Sequence, residues 1–207
     1  MQVAPMELPG GYLLAVRTDR SLIAPHWTLA QAVAQSVGAG ANLVIMAEED
    51  LPRSARFVLA RFVRDAVHGR CPWIVVGDAR LAEEVGADGC CLDASGDALA
   101  VGGSHGLRAV RITRAEEAAL AKHADFAILE LDWSSLNSAL DAVGRMRRSL
   151  PGLPLLAGTD PPLEAVQDLC NVGAQGVVLC AQAMDVQRRG EVVEAFAHNL
   201  RACVPKR

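Results

Sequence analysis

Short apolar runs rich in β-branched residues recur along the chain, each bounded by polar or glycine-containing stretches. Runs apolar at every position fit strands buried on both faces, as in a parallel sheet. The clearest unit begins at Ile74-Val75-Val76-Gly77-Asp78. Asp78 offers an N-cap oxygen for a helix to Val85, and Gly86 can take the positive φ that ends it. A second apolar run, Gly89 to Leu92, follows within three residues, completing a strand–helix–strand unit with a right-handed crossover. Related segments stand at Val37-Gly38-Ala39-Gly40-Ala41-Asn42 and at Val172-Gly173-Ala174-Gln175-Gly176. The pattern predicts strands near 12–16, 42–46, 73–76, 89–92, 107–112, 125–131, 154–157 and 176–179.

Helices are predicted between them. Thr28 caps one to Val37. Arg53 to His68 is amphipathic, with Phe57, Ala60, Phe62 and Val67 among its apolar positions. Asp93 to Gly106 is glycine-rich and leaves room for a short helix around Ala98 to Val101. Thr113 is expected to cap a helix from Arg114 with Glu116 as capping-box partner. Ser134 opens one to Ser149, Pro161 and Pro162 fall in the first turn of the next, and Val186 to Arg201 is the last. Eight strands alternating with about eight helices predict one (β/α)8 TIM barrel over residues 1–207; a doubly wound open sheet is the alternative.

Hydrophobic residues make up 51% of the chain but aromatics only 4%, so Ala, Val and Leu must build the core. A formal charge of −4 argues against a nucleic-acid partner, whose footprint is a basic patch. No basic, apolar N-terminal leader is evident, and no run reaches the roughly 18 apolar residues of a membrane span. A cytoplasmic protein with no membrane partner is expected. The cysteines at 71, 90, 91, 170, 180 and 203 lack C-x-x-C spacing and read mostly as small buried hydrophobes of a reducing compartment. Cys180 stands apart, near the end of the last strand. The five histidines are scattered; no catalytic dyad can be read, and the catalytic residues stay unassigned.

At this point the chain resembles a family, thiamin phosphate synthase and its TenI relatives, over nearly its whole length. Tyr12-Leu13-Leu14-Ala15-Val16-Arg17-Thr18-Asp19-Arg20 resembles the family's opening Y-L-V-T-D-R. Leu43-Val44-Ile45-Met46-Ala47-Glu48-Glu49-Asp50-Leu51 resembles its V-Q-L-R-x-K-D-L, and Gly86-Ala87-Asp88-Gly89-Cys90-Cys91-Leu92 its G-A-D-G-V-H-L. Thr113-Arg114-Ala115-Glu116-Glu117-Ala118 with Ala124-Asp125-Phe126 is similar to H-x-x-E-E-A with A-D-Y. Pro154-Leu155-Leu156-Ala157-Gly158 and Gly173-Ala174-Gln175-Gly176-Val177 resemble the closing P-V-x-A-x-G-G-I and G-A-D-G-V segments. The resemblance implies a barrel that couples or rearranges thiazole and pyrimidine phosphates, with magnesium where pyrophosphate is handled. The family's arginine and lysine after the second strand fall here on Ala47 and Glu49. Its magnesium pyrophosphate loop falls on Cys91-Leu92-Asp93-Ala94-Ser95-Gly96, its later histidine on Thr113. Of its phosphate-loop glycine pair only Gly158 stays, beside Thr159, and the closing serine falls on Ala181. A ligand of this class, with the original catalytic residues largely replaced, is one expectation; a non-catalytic barrel binding a ligand or a protein is the other.

Strand ends on one rim place the candidate ligand site at Arg17, Glu48, Asp78, Asp93, Arg111, Glu130, Gly158 and Thr159. Arg17 and Arg111 could hold a carboxylate or phosphate, aided by Thr159 and the amides before the helix after the seventh strand. Glu48, Asp78, Asp93 and Asp132 could together offer magnesium its hard oxygen ligands; the plainer account is helix caps and solvated loops. Trp133 could stack on a ring or pack against the next helix. The rim is acidic, so a phosphate is expected to bind near 1 mM (about −4 kcal/mol) or not at all. The partner expected is a small molecule, and the sequence leaves a homo-oligomer open.

Overall fold

Eight parallel strands close on themselves in sequence order, β8 pairing back onto β1. The computed structural model describes residues 6–93, 106–185 and 188–204. The expected helix around Ala98 to Val101, His105, and the expected helix start at Val186 lie outside the described residues. The strands are β1 Leu13–Arg17, β2 Leu43–Met46, β3 Trp73–Val76, β4 Gly89–Asp93, β5 Leu107–Ile112, β6 Phe126–Leu129, β7 Leu155–Ala157 and β8 Gly176–Leu179. Each overlaps its predicted run. The barrel expectation holds, and the open sheet does not.

Two cores follow from strand alternation. Inward-facing Leu13, Ala15, Leu43, Ile45, Ile74 and Val76 form one cluster with Cys91, Ala109, Phe126, Ile128, Leu156 and Val178. A larger cluster lies between the strands and the outer helices. The interior is therefore a packed core, and any ligand must sit above it.

The N-terminal end of the barrel carries a device used four times. Asn42, Asp88, Asp125 and Gln175 each immediately precede, or nearly precede, an even-numbered strand. The backbone N–H of each donates to a carbonyl on the preceding odd strand: Leu14, Trp73, Arg108 and Leu155 respectively. The side-chain oxygen of each accepts the backbone N–H of that same residue, at 2.8, 3.0, 2.7 and 3.1 Å. This is the physical content of the recurring Gly-Ala-Asn, Gly-Ala-Asp and Gly-Ala-Gln segments. Asp88 and Gln175 are followed by Gly89 and Gly176, where a Cβ would stand 1.9 Å from the carbonyl oxygen of Leu107 and of Leu13. Only glycine allows the neighbouring strands to close at those two points.

The helices are α1 Leu29–Gly38, α2 Arg53–Val67, α3 Ala79–Val85, α4 Leu136–Ser149, α5 Val166–Asn171, α6 Ala181–Met184 and α7 Arg189–Cys203. Thr28 caps α1 in a box with Gln31, and Asp78 caps α3, which ends at Gly86 with φ 70°. Four local expectations are corrected. After β5 the chain forms 3₁₀ turns, Ala115–His123, and the box partner is Glu117, not Glu116, because the backbone enters one residue later. The α4 cap is Ser135, since Ser134 donates to Asp132 in its own turn. Pro161 and Pro162 precede a 3₁₀ turn, Leu163–Ala165, with Pro162 at its cap, instead of lying inside a helix. On α2 the buried stripe runs through Arg56, Ala60, Val63 and Val67, leaving Phe62 56% exposed. The described part of the last predicted helix is α7, and α6, which no periodicity announced, precedes it. No described helix is long and apolar enough to cross a membrane.

Candidate functional site

The C-terminal ends of the strands surround a small recess of about 260 Å³, counting the open space at its top. Its floor is apolar: Ile45, Val76, Cys91, Ile128 and Val178. Its walls are Arg17, Arg111, Glu130 and Thr159. Four of the eight residues expected on the rim are thus brought together around one space. The floor was missed, although its residues stand two positions before rim residues, as Ile128 does before Glu130 and Cys91 before Asp93. In a strand that spacing means the same face, and it could have found them.

Both arginines face carboxylates. Arg17 Nη1 lies 3.6 Å from Glu130 Oε1. Arg111 Nε donates to Asp93 Oδ1 at 2.6 Å, which places Asp93, half exposed, on the rim beside the recess. That bond to Asp93, with Glu49 and Glu130 adding their fields, holds the Arg111 guanidinium firmly in its charged form. Glu49 is a further mouth residue that strand-end counting overlooked: its Oε1 lies 2.8 Å from where a Cβ on Gly77 would stand. Gly158 backs the wall, its Cβ position 3.7 Å from Glu130 Oε2. Thr159 donates its hydroxyl to Glu130 at 3.2 Å, and its carbonyl accepts the Trp133 indole N–H at 2.9 Å. Trp133 is half-buried, a pin between the loops after β6 and β7 and packed on the outer core.

Glu48 and Asp78 are placed elsewhere. Glu48 is 1% exposed and accepts the backbone N–H and the guanidinium of Arg20, which also grips Asp50. Asp78 caps α3 and receives Arg53. Asp132 accepts from Ser134, which lowers its carboxyl below the usual range. The four oxygen donors considered for magnesium are therefore committed to four separate local partners. Among the described residues no group of three or more His, Cys, Asp or Glu could hold a metal. The donor set does not fit the ion.

The loops after β7 and β8 decide what anion the mouth can accept. In barrels of this kind a phosphate often sits between those loops, at the N-terminus of a short extra helix. The short helix is present as α6. Its leading amides are taken by Asp160: Oδ1 accepts from Cys180 at 2.7 Å and Gln182 at 3.2 Å, and Oδ2 from Ala181 at 2.8 Å. Asp160 reaches them from a left-handed backbone, φ 55°, a conformation aspartate tolerates better than most residues. The amides that Thr159 was expected to complete are thus supplemented by a different set, already filled by the chain itself.

The thiols near the mouth are poor nucleophiles. Burial pushes both Cys91 and Cys180 up to about 12, so they stay protonated near neutrality. His26, His68, His123 and His198 are all exposed, with His26 in the loop between β1 and α1 and none lining the recess. Around the recess the polar groups are two arginines that face carboxylates, Glu130 and the Thr159 hydroxyl.

No protein-family model matches the chain, and no curated protein matches it. Among solved structures, 1026 chains match. One of them, a thiamine phosphate pyrophosphorylase from Pyrococcus furiosus, is similar over 94% of this chain and 98% of its own, with a TM-score of 0.79 at 16% identity. The fold of this chain is thus that of a thiamin phosphate synthase-like (β/α)8 barrel.

Proposed function

We propose that this chain is a divergent thiamin phosphate synthase-like or TenI-like barrel that holds a compact, unphosphorylated thiazole or pyrimidine at its mouth. In this reading the phosphate-handling and catalytic machinery of such barrels has been replaced. The observation that carries it is Asp160. A phosphate needs free N–H donors and uncompensated cations, whereas three loop amides here serve Asp160 and both mouth arginines face carboxylates. A second anion about 4 Å from a carboxylate meets repulsion of roughly 4 kcal/mol at an effective dielectric near 20. An aromatic ring suits the apolar floor, and Glu130 can accept an amino or ring N–H.

Calorimetry with a thiazole alcohol, an aminopyrimidine alcohol, thiamin and their phosphate esters, without metal, tests this. The unphosphorylated forms should bind between about 10 and 100 µM (roughly −7 to −5.5 kcal/mol), and the esters near 1 mM or worse. Glu130→Gln should weaken the amino-bearing ligands about tenfold. Micromolar binding of the esters without metal would refute the reading.

A second reading, a non-catalytic module for a ligand or protein partner, is favoured by the buried, protonated thiols and by a recess lining without histidine. It expects no coupling of pyrimidine pyrophosphate to thiazole phosphate with magnesium. Turnover that collapses in Arg17→Ala would defeat it.

A further inference from the structure

Of the six cysteines, Cys71, Cys90 and Cys91 are buried in the barrel wall, and Cys180 begins the turn into α6. The remaining two, Cys170 and Cys203, face one another. Cys170 is in the last turn of α5 and Cys203 ends α7, and these helices pack together. Cys203 Sγ donates to the Asn199 carbonyl at 3.3 Å and reaches Gln167 Oε1 at 3.6 Å. Gln167 and Cys170 stand three apart on α5 and so share the face that meets Cys203. The Cys203 thiol also stands near enough to Cys170 to push that thiol up, after burial. Both residues are half-buried, neither sealed from solvent nor free to swing away. Helices run antiparallel to the strands, which puts the pair at the barrel floor, opposite the mouth.

We propose that Cys170 and Cys203 are a redox-responsive dithiol that closes to a disulfide, fastening the C-terminal helix to α5. The oxidant is a small-molecule disulfide. The Cys203 thiolate attacks one of its sulfurs, forming a mixed disulfide and releasing one small thiolate. The Cys170 thiolate then attacks the Cys203 sulfur and expels the second. Two protein thiols lose two electrons and two protons, and one small disulfide becomes two small thiols. Burial, and then the neighbouring Cys203 thiol, push Cys170 up to about 12, so its thiolate is scarce near neutrality and the closing step is favoured by alkaline conditions.

The test treats the full chain with excess oxidised glutathione under alkaline conditions, at about pH 9, quenches with acid and then digests it without reductant. The expected result is a cross-linked peptide pair carrying Cys170 and Cys203, with titratable thiols falling from six to four. The melting temperature should rise by roughly 5–10 °C, because the bond closes a loop of about thirty residues, and dithiothreitol should reverse it. Cys203→Ser should show neither change, and ligand binding at the mouth should be the same in both redox states. A glutathione adduct persisting on Cys203 beside a free Cys170, cross-links between other cysteines, or an unchanged thiol count would overturn the proposal.

Discussion

The two ends of this barrel treat polar groups in opposite ways. At the floor, polar side chains bind backbone. Asn42, Asp88, Asp125 and Gln175 repeat one clamp, and Arg147 gathers the carbonyls of Leu150, Pro151, Leu153 and Gly173. At the mouth, charge meets charge: Arg20 with Glu48 and Asp50, Arg17 with Glu130, Arg111 with Asp93. The floor arrangement is scaffolding, since buried backbone groups must be satisfied wherever strands begin. The mouth arrangement is internal neutralisation, and it leaves little unpaired charge for a ligand to claim. The resemblance read from the sequence rests mostly on scaffold residues, three of its segments carrying the floor clamps Asp88, Asp125 and Gln175, which is why it speaks to fold and says less about chemistry.

Substitutions can break this contrast. The largest effect is expected at the floor glycines. Gly176→Val should cost roughly 4 kcal/mol or more and often abolish folding, since its Cβ would overlap the Leu13 carbonyl. Circular dichroism and urea titration read this directly, and a near-wild-type midpoint would show that the strands can part there.

Asp160 is the exception at the mouth, a side chain that binds backbone as the floor residues do. Asp160→Ala should cost about 2–3 kcal/mol, because three N–H groups lose a charged acceptor. A loss below about 0.5 kcal/mol in chemical denaturation would mean that water replaces the carboxylate freely.

A matched pair sharpens the comparison. Asp88→Ala removes acceptors for the Met6 and Trp73 amides and should cost about 1–2 kcal/mol. Asp93→Ala breaks only a half-exposed ion pair with Arg111 and should stay within about 0.5 kcal/mol. Equal losses would erase the distinction between the two ends.

The smallest effect concerns acid. Backbone N–H groups of Thr113 and Arg114 hold the Glu117 carboxyl below its ordinary value near 4.5. A depressed folded-state value means stability that is present above pH 4.5 and is lost as pH falls through the lowered value. Glu117→Gln should therefore be less stable than wild type at pH 7 and lose less on going to pH 3. Parallel urea curves at the two pH values test this, and identical acid sensitivity would contradict it.

The chain alone determined its strands, the order of the barrel and several helix caps. The reason is that hydrophobic periodicity, an Asp78 cap and a Gly86 stop are local signals that act within a few residues. It also displayed the clamp residues as repeated Gly-Ala-x segments, though not their bonding. What the tertiary structure decided was which charges are available. Glu48 sits at a strand end, yet Arg20 from another loop buries and neutralises it. Glu49, one residue on, turns to the mouth. Asp160, next to Thr159 in the chain, fills amides about twenty residues further along. Parity places a strand residue inside or outside. Loop charges obey no period, and their partners are set only when the barrel closes and brings distant loops onto one rim.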